Sequence, residues 1–371
     1  MSSTVSESTF RSRLERARAE MARTGVDALI LSLGHDMPYL TGYLAMPLER
    51  LTMLVVPREG DASLIIPRLE APRVTEMPSV FSLATWNETD DPVALAHKLL
   101  GSARTIAVGD QMWSRFLVDL LKFRPDAKYV RSVVVMEALR SRKDAAEIAA
   151  LVAAGAAADR VAAQLHAGDI PLVGRTEAQV SADISARLIA EGHQVVNFAI
   201  VAAGENAASP HHHAGDRVIK HGEIVLCDFG GTMNDYCSDI TRCVHIGEPP
   251  SDITEAYNVL FESQAAGVAA GLIGSSCAGV DAASRGVIDA AGFGEWFVHR
   301  TGHGIGMEAH EDPYMVSGNK LPIAAGHAFS VEPGIYIPGK WGMRLEDIVV
   351  ATTSGPDSMN AANHNLIVVE A

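Results

Sequence analysis

Apolar positions change their spacing part-way along this chain, and the change predicts two domains. Residues 10–24 carry Leu14, Ala17 and Met21 among many Arg and Glu side chains, the pattern of an amphipathic helix with one solvated face. Ala28–Leu31 reads as a buried strand, and Leu51–Val56 and Ala62–Ile66 as neighbouring strands joined through Pro57-Arg58-Glu59-Gly60. A helix over Pro92–Gly101, a strand over Thr105–Val108 and a helix over Phe116–Leu121 follow. Strands alternating with helices predict an α/β layer architecture for this part. His35 and Asp36 fall between elements and are expected in a loop, and nothing here groups Cys, His and carboxylates as a metal site or catalytic triad would.

Between Met136 and Lys143 the pattern gives way to a long Ala-rich helix, Asp144–Leu165, whose apolar positions Ile148, Leu151, Val152, Val161 and Leu165 return at near-helical spacing. Residues 1–138 and 139–371 are therefore expected as separate domains. In the second, a helix over Thr176–Glu191 and a strand over Val195–Ala202 precede a hairpin. A helix over Ile253–Leu272, with Asp252 and Glu255 spaced as a capping box, comes after it. A further helix over Asp281–Ala290 and strands around Val298, Ala328–Val331 and Leu345–Ala351 complete an α+β domain with antiparallel strands.

The hairpin organises the candidate chemistry. An apolar strand ends in Asp228, a turn region holds Gly230-Gly231 and Asn234-Asp235, and the returning strand carries Asp239 through to His245. An unpaired carboxylate in an apolar strand is costly, and a cation between the strands would remove the cost. Taken alone, the stretch also fits a turn with two solvated Asp residues. Three further pieces change that balance. Thr301-Gly302-His303-Gly304 leaves an imidazole open to a close partner, because its neighbours carry no side chains. Ser330-Val331-Glu332-Pro333-Gly334 delivers a Glu just before a turn, and Arg344 and Glu346 sit two apart on a strand, and so on its same face. Asp228, Asp239, Glu332 and Glu346 would repel one another without cations. Two divalent ions would nearly balance the four charges, with a bridging hydroxide completing the shell; such a pair performs hydrolysis. Carboxylates suit Mn²⁺, and the single imidazole keeps Co²⁺ and Zn²⁺ in play.

Bulk properties narrow the class. With 371 residues there is room for two cores, and 48% hydrophobic with 20% charged residues is ordinary globular composition. The formal net charge of -15 argues against nucleic acid and anionic membrane surfaces as partners. The cysteines Cys227, Cys237, Cys243 and Cys277 form no CxxC pair, and three lie in or beside the hairpin, so a disulfide framework is not expected. The polar stretch Met1–Glu7 predicts no signal peptide, and Ile148–Ala158, bracketed by Glu147 and Asp159, is too short to span a bilayer. The expectation is a cytoplasmic enzyme.

The ordered set D-F-G-G at Asp228, Y-x-S-D-I-T-R from Tyr236, G-H-G-I-G around His303, H-E-D-P from His310, V-E-P-G around Glu332 and R-L-E-D from Arg344 closely resembles the pita-bread metallopeptidases: Xaa-Pro dipeptidase (prolidase), aminopeptidase P and methionine aminopeptidase. The first part resembles the amino-terminal domain of prolidase, aminopeptidase P and creatinase, through Tyr39-Leu40-Thr41-Gly42 and Leu139-Arg140. The resemblance implies that Asp228 and Glu346 bind one metal, that Asp239 and Glu346 bridge to the other, and that His303 and Glu332 complete the second metal's shell. It further implies that Glu332 shuttles a proton, that His310 stabilises the tetrahedral intermediate and that His211 positions substrate. Arg344 could pair with either a substrate carboxylate or a ligand carboxylate. No role follows for His212 and His213. Asp235 stands where the family often has Gly, so that turn could differ, and Met359-Asn360 replaces the usual hydrophobic-Thr pair.

Methionine aminopeptidases usually lack the large first domain, and creatinase does not keep the full ligand set, which is complete here. The resemblance therefore implies an Xaa-Pro dipeptidase acting on proline-containing dipeptides as a homodimer, with aminopeptidase P acting on longer peptides as the neighbouring reading. A non-peptide hydrolase or lyase on the same scaffold, or a metal-free binding protein, are the alternatives of a different class.

Overall fold

The computed structural model describes residues 5–370, so the expectation for Met1–Glu7 falls partly outside it. The chain divides after Arg140 into two compact units, the second beginning at Ser141.

The first unit runs α1 (Glu7–Thr24), β1 (Ala28–Leu31), α2 (Asp36–Thr41), β2 (Met53–Pro57), β3 (Ala62–Pro67), β4 (Phe81–Trp86), α3 (Pro92–Leu99), β5 (Thr105–Val108), α4 (Ser114–Phe123), β6 (Lys128–Arg131) and α5 (Val133–Arg140). Its strands form one six-stranded sheet in the order β4-β3-β2-β1-β5-β6. The two central hairpin contacts, β1–β2 and β2–β3, are antiparallel, and the other pairings are parallel. Strand β1 is buried along its whole length, as a central strand covered on both faces must be. Asp36, expected in a loop, is instead the first residue of α2. It accepts from Arg140 Nη1 at 2.7 Å and from Ser132 Oγ at 3.0 Å, so its carboxylate is spent holding the unit together.

The second unit runs α6 (Ala145–His166), α7 (Glu177–Ala190), β7 (Val195–Ala203), β8 (Ile224–Met233), β9 (Tyr236–Cys237), β10 (Ile240–Ile246), α8 (Ser251–Ala270), α9 (Cys277–Ala290), β11 (Gly302–Gly304), β12 (Glu311–Met315), β13 (Ala328–Val331), β14 (Gly334–Ile337), β15 (Trp341–Arg344), β16 (Asp347–Thr352), β17 (Gly355–Ser358) and β18 (Ile367–Val369). One sheet is ordered β18-β10-β8-β7, with β9 paired to β8; another is ordered β12-β11-β13-β16-β17, and β14 and β15 make a separate hairpin. Helices α6 and α7 bury Val161, Leu165, Val180 and Ile184 against β8 and β10. Helices α8 and α9 bury Tyr257, Leu260 and Ile288 with Met343 and Leu345.

Asp144 caps α6 with both halves of a capping box, and Thr176 does the same for α7 with Gln179. The box expected at Asp252 and Glu255 does not form. Helix α8 starts at Ser251 behind Pro250 with no side-chain cap, which leaves Asp252 inside the first turn, where a carboxylate favours the helix N-terminus. Helix α9 begins at Cys277, behind the N-cap Ser276, ahead of the expected start. The strand expected around Val298 is absent. A short 3-10 turn spans Gly294–Trp296, Phe297 is buried in the core and Val298 is 63% exposed, so the apolar run there feeds the core without forming a strand.

Helix α6 is long and apolar enough to cross a membrane by length and composition, longer than its apolar stretch suggested. Leu151, Val161 and Leu165 of the helix are nonetheless buried in the core, and the carboxylate of Glu147 accepts from the Tyr236 hydroxyl at 2.7 Å.

Candidate metal centre

Strand β8 carries Asp228 into the middle of its sheet, paired with Ile200 of β7 on one side and Thr241 of β10 on the other. The turn joining β8 to β9 is Asn234-Asp235, both with positive φ (50° and 68°), so Asp235 adopts the backbone that Gly would supply. Gly230 and Gly231 are within β8 rather than in the turn. A Cβ on Gly230 would meet the Ser238 carbonyl oxygen at 2.1 Å, and this close approach lets the chain deliver Asp239 ahead of β10.

Glycine has the same use around His303. Cβ atoms on Gly302 and Gly304 would lie 1.9 Å from the Ser330 carbonyl and 2.4 Å from the Asp312 carbonyl. Their absence lets β11 fit between β12 and β13. The imidazole is thereby oriented. Its Nδ1 lies 3.1 Å from the Gly304 carbonyl, which can only accept, so Nδ1 bears the proton and Nε2 presents a lone pair. That lone pair faces oxygens, Glu332 Oε1 at 3.1 Å and Asp239 Oδ2 at 3.8 Å. A lone pair directed at carboxylates is repulsive unless a proton or a metal ion lies between them.

The ligand atoms of Asp239, His303 and Glu346 all lie within 4.8 Å of one another, and all three residues are buried. Asp228 and Glu332 are outside that trio but border it. Glu332 is held through His303 and through Ser330 Oγ, which donates to Oε1 at 3.0 Å. Asp228 is held by Arg344 Nη2, and its other oxygen, Oδ1, is buried with no hydrogen-bond partner. Burial, followed by the charges of Glu346, Asp228 and Glu332, pushes the Asp239 carboxyl well above its ordinary range. Burial, followed by Glu332 and Asp228, does the same to Glu346. Burial also raises Asp228, against the pull of Arg344. Only Glu332 is lowered, to about 2: burial pushes it up, but a protonated His303 beside it, with His299 and Arg344, would outweigh that. An orphaned buried oxygen, a lone pair aimed at carboxylates and carboxyls that cannot all ionise together fit a cation-binding site.

Arg344 and Glu346 do not share one strand as expected. Strand β15 ends at Arg344, β16 starts at Asp347, and Glu346 lies in the break, bridged to Thr241. Both side chains still meet at Thr241, whose hydroxyl donates to Glu346 Oε2 at 2.7 Å and accepts from Arg344 Nε at 3.1 Å. Arg344 Nη1 donates to the Tyr336 hydroxyl at 2.7 Å and to the Pro210 carbonyl at 3.3 Å. Every nitrogen of this guanidinium is thus engaged inside the protein, and the residue is 2% exposed.

Beside the carboxylates is a cavity of about 290 Å³, lined by His211, His299, Arg300, His303, His310, Glu332 and Arg344 with Pro210. Its volume suits a small ligand. The His310 ring stands edge-on to His303 with centroids 4.0 Å apart, and burial, then His303, brings its pKa down to about 4. His211 is exposed at the rim. His212, which had no expected role, anchors that rim: its Nε2 lies 2.7 Å from buried Glu177, which also accepts from Ala203 N and Asn206 Nδ2. His213 is exposed.

Sequence reasoning missed Tyr336, His299 and Arg300. His299 Nδ1 donates to the Arg300 carbonyl at 2.7 Å, and its Nε2 accepts from the Tyr336 hydroxyl at 2.9 Å. A relay from Arg344 through Tyr336 and His299 therefore stiffens the cavity wall. The available signal was adjacency, since His299-Arg300 precede the Gly-His-Gly motif and Tyr336 follows the Pro-Gly turn. A larger cleft of about 520 Å³ in the first unit, beside Asp27, Arg58 and Arg104, has no His or Cys in its lining. Arg58 and the backbone of Arg104 and Thr105 already satisfy Asp27.

Residues 143–353 match the model of metallopeptidase family M24, and residues 13–142 match the creatinase/prolidase N-terminal domain. The chain is 44% identical over 365 residues to a probable dipeptidase PepE of Mycobacterium tuberculosis, covering 96% of each. It is similar to the crystal structure of dipeptidase PepE from Mycobacterium ulcerans, with TM-score 0.94, 44% identity and coverage of 99% of this chain and 100% of that one. It is also similar to a recombinant prolidase from Thermococcus sibiricus, with TM-score 0.91, 31% identity and coverage of 97% and 99%. The α/β first unit and the pita-bread second unit are those expected from the motifs. The chain belongs to metallopeptidase family M24, with a creatinase/prolidase N-terminal domain ahead of the catalytic one.

Proposed function

We propose that this protein is a metal-dependent dipeptidase that hydrolyses the Xaa-Pro bond. The observation that carries this reading is the His303 lone pair facing Glu332 and Asp239 beside a small cavity that also holds His310 and His211. The likeness to a prolidase supports the Xaa-Pro preference.

In this reading Asp228, Asp239, His303, Glu332 and Glu346 hold two divalent ions, Mn²⁺ ahead of Co²⁺ or Zn²⁺. When bound, the ions supply a Lewis acid and lower the pKa of water. Asp228 offers Oδ1, the oxygen that Arg344 leaves free, and Thr241 orients Glu346. Glu332 accepts a proton from the attacking water and passes it to the leaving amine. His310, neutral above about pH 4, directs an N–H at the carbonyl oxygen as negative charge develops there. His211 positions the substrate from the rim. Arg344 acts on a ligand carboxylate and leaves the substrate carboxylate to another group.

The test is hydrolysis of an Xaa-Pro dipeptide and an Xaa-Pro-Xaa tripeptide by metal-stripped protein with and without added Mn²⁺. Metal-dependent cleavage of the dipeptide is the expected result. Cleavage mainly of the tripeptide would make the protein an aminopeptidase P, and cleavage of neither would point to a non-peptide substrate. We also propose a homodimer in the cytoplasm, with a proline-containing dipeptide rather than nucleic acid or membrane as partner. The buried free thiols of Cys227, Cys237, Cys243 and Cys277 suit a reducing compartment, and the net charge of -15 disfavours polyanions.

A further inference from the structure

With Arg344 fully engaged, Arg300 is the remaining guanidinium that lines the cavity. Its backbone is pinned on both sides. Its own carbonyl accepts from His299, and the His299 carbonyl accepts from Arg285 Nη2 at 2.7 Å. Thr301 N donates to Asp281 Oδ1 and to the Met315 carbonyl, and the Thr301 hydroxyl donates to Asp281 Oδ1 at 2.9 Å. The side chain, by contrast, makes no hydrogen bond or ion pair among the described residues. Its guanidinium carbon stands 4.3 Å from the centroid of the Tyr314 ring. A ring face holds a guanidinium in place by cation–π attraction and leaves its N–H groups unspent. Arg300 is half-buried, so these groups are partly withdrawn from water. Its charge reaches the reacting end of the cavity, where it reinforces the effect of burial and His303 on His310.

We propose that Arg300, held over the Tyr314 ring, reads the C-terminal carboxylate of the substrate and thereby limits the enzyme to dipeptides. This rests on the dipeptidase reading above and supplies the chemical basis of its length limit. A planar guanidinium with a free edge matches a carboxylate with two parallel hydrogen bonds. A third residue beyond proline replaces that carboxylate by a neutral amide, whose carbonyl can accept a hydrogen bond but forms no ion pair and no two parallel bonds. The cavity wall thus needs no steric stop to reject longer chains.

The experiment compares wild type, Arg300→Gln and Arg300→Lys, all Mn²⁺-loaded, on an Xaa-Pro dipeptide and its C-terminal amide. Binding of L-proline and L-prolinamide is measured alongside by calorimetry. Wild type is expected to favour the free acid by about 100-fold in kcat/KM, the scale of one charge-assisted pair. Arg300→Gln should bring that preference close to unity, chiefly through KM for the acid, and Arg300→Lys should restore part of it. Metal content and thermal midpoint should stay at wild-type values. A wild type indifferent to amidation would overturn the proposal, and so would an Arg300→Gln variant that loses acid and amide equally. If neither peptide is cleaved but L-proline still binds more tightly than L-prolinamide in an Arg300-dependent way, the Xaa-Pro reaction falls and the carboxylate reader stands. Equal binding of both probes to wild type would remove the reader whatever the turnover.

Discussion

Arg344 holds Asp228 by one oxygen: Nη2 donates to Oδ2, and Oδ1 is left buried without a hydrogen-bond partner. The pairing leaves one lone-pair-bearing oxygen available to a cation and fixes its direction. Arg344→Met should therefore strip the site of order. Breaking a buried pair costs about 3–5 kcal/mol because the remaining charge is uncompensated. The expected result is a lower thermal midpoint and a metal stoichiometry, by elemental analysis, below that of wild type. Wild-type metal content in a folded Arg344→Met protein would show that Asp228 needs no help from its neighbour.

Glu332 sits 3.1 Å from His303 Nε2, and Ser330 donates to the same Oε1. Glu332→Gln keeps the shape and removes the capacity to carry a proton. Turnover should fall by about 100-fold or more, the usual size of a general acid–base contribution. Metal affinity should weaken as well, since an amide is a poorer ligand than a carboxylate. Unchanged kcat would rule out the proton-carrying role.

His310 touches His303 ring to ring but is outside the buried ligand cluster. His310→Ala should lower kcat by roughly 100-fold, as loss of one oxyanion donor does, while metal content stays at the wild-type value. Loss of metal in this variant would make His310 a ligand instead.

Stability should weaken in acid through His327. The ring is 3% exposed, and its Nδ1 accepts the Ala324 amide at 3.3 Å. Burial, then Arg142 and Lys143, lowers its pKa to about 4. Between about pH 6.5 and pH 4 the unfolded chain binds this proton and the folded one does not, so stability rises with pH there. The contribution is fully present above about pH 6.5 and declines as pH falls towards 4, by on the order of 3 kcal/mol. His166, brought to about 4 by burial and then Arg242, acts in the same direction. His327→Asn, which can still accept the amide, should flatten part of this slope in denaturant melts taken across the range. An unchanged slope would show that His327 is protonated without cost.

Local chemistry was enough to nominate residues for a cation site and to show where most elements lie. Asp228 follows an apolar run, glycines flank His303, and Asp144 and Thr176 announce their helices, because caps, periodicity and turn residues act over a few positions. Where local signals competed they misled. Asp252 and Glu255 have capping spacing, yet Pro250 sets the start of α8, and the apolar Val298 is solvent-facing. Only tertiary structure could decide how the charges are shared. The sequence permits Arg344 to face either a ligand or a substrate. Its commitment to Asp228, Thr241, Tyr336 and Pro210 follows from strands distant in the chain arriving at one place. Arg300 keeps its N–H groups for the same reason, since the fold sets it against the ring of Tyr314 and no described acceptor bonds it. Residue types and their order thus determined the candidate chemistry, whereas the pairing of each buried charge, which depends on distances of a few ångströms across the fold, was decided in three dimensions.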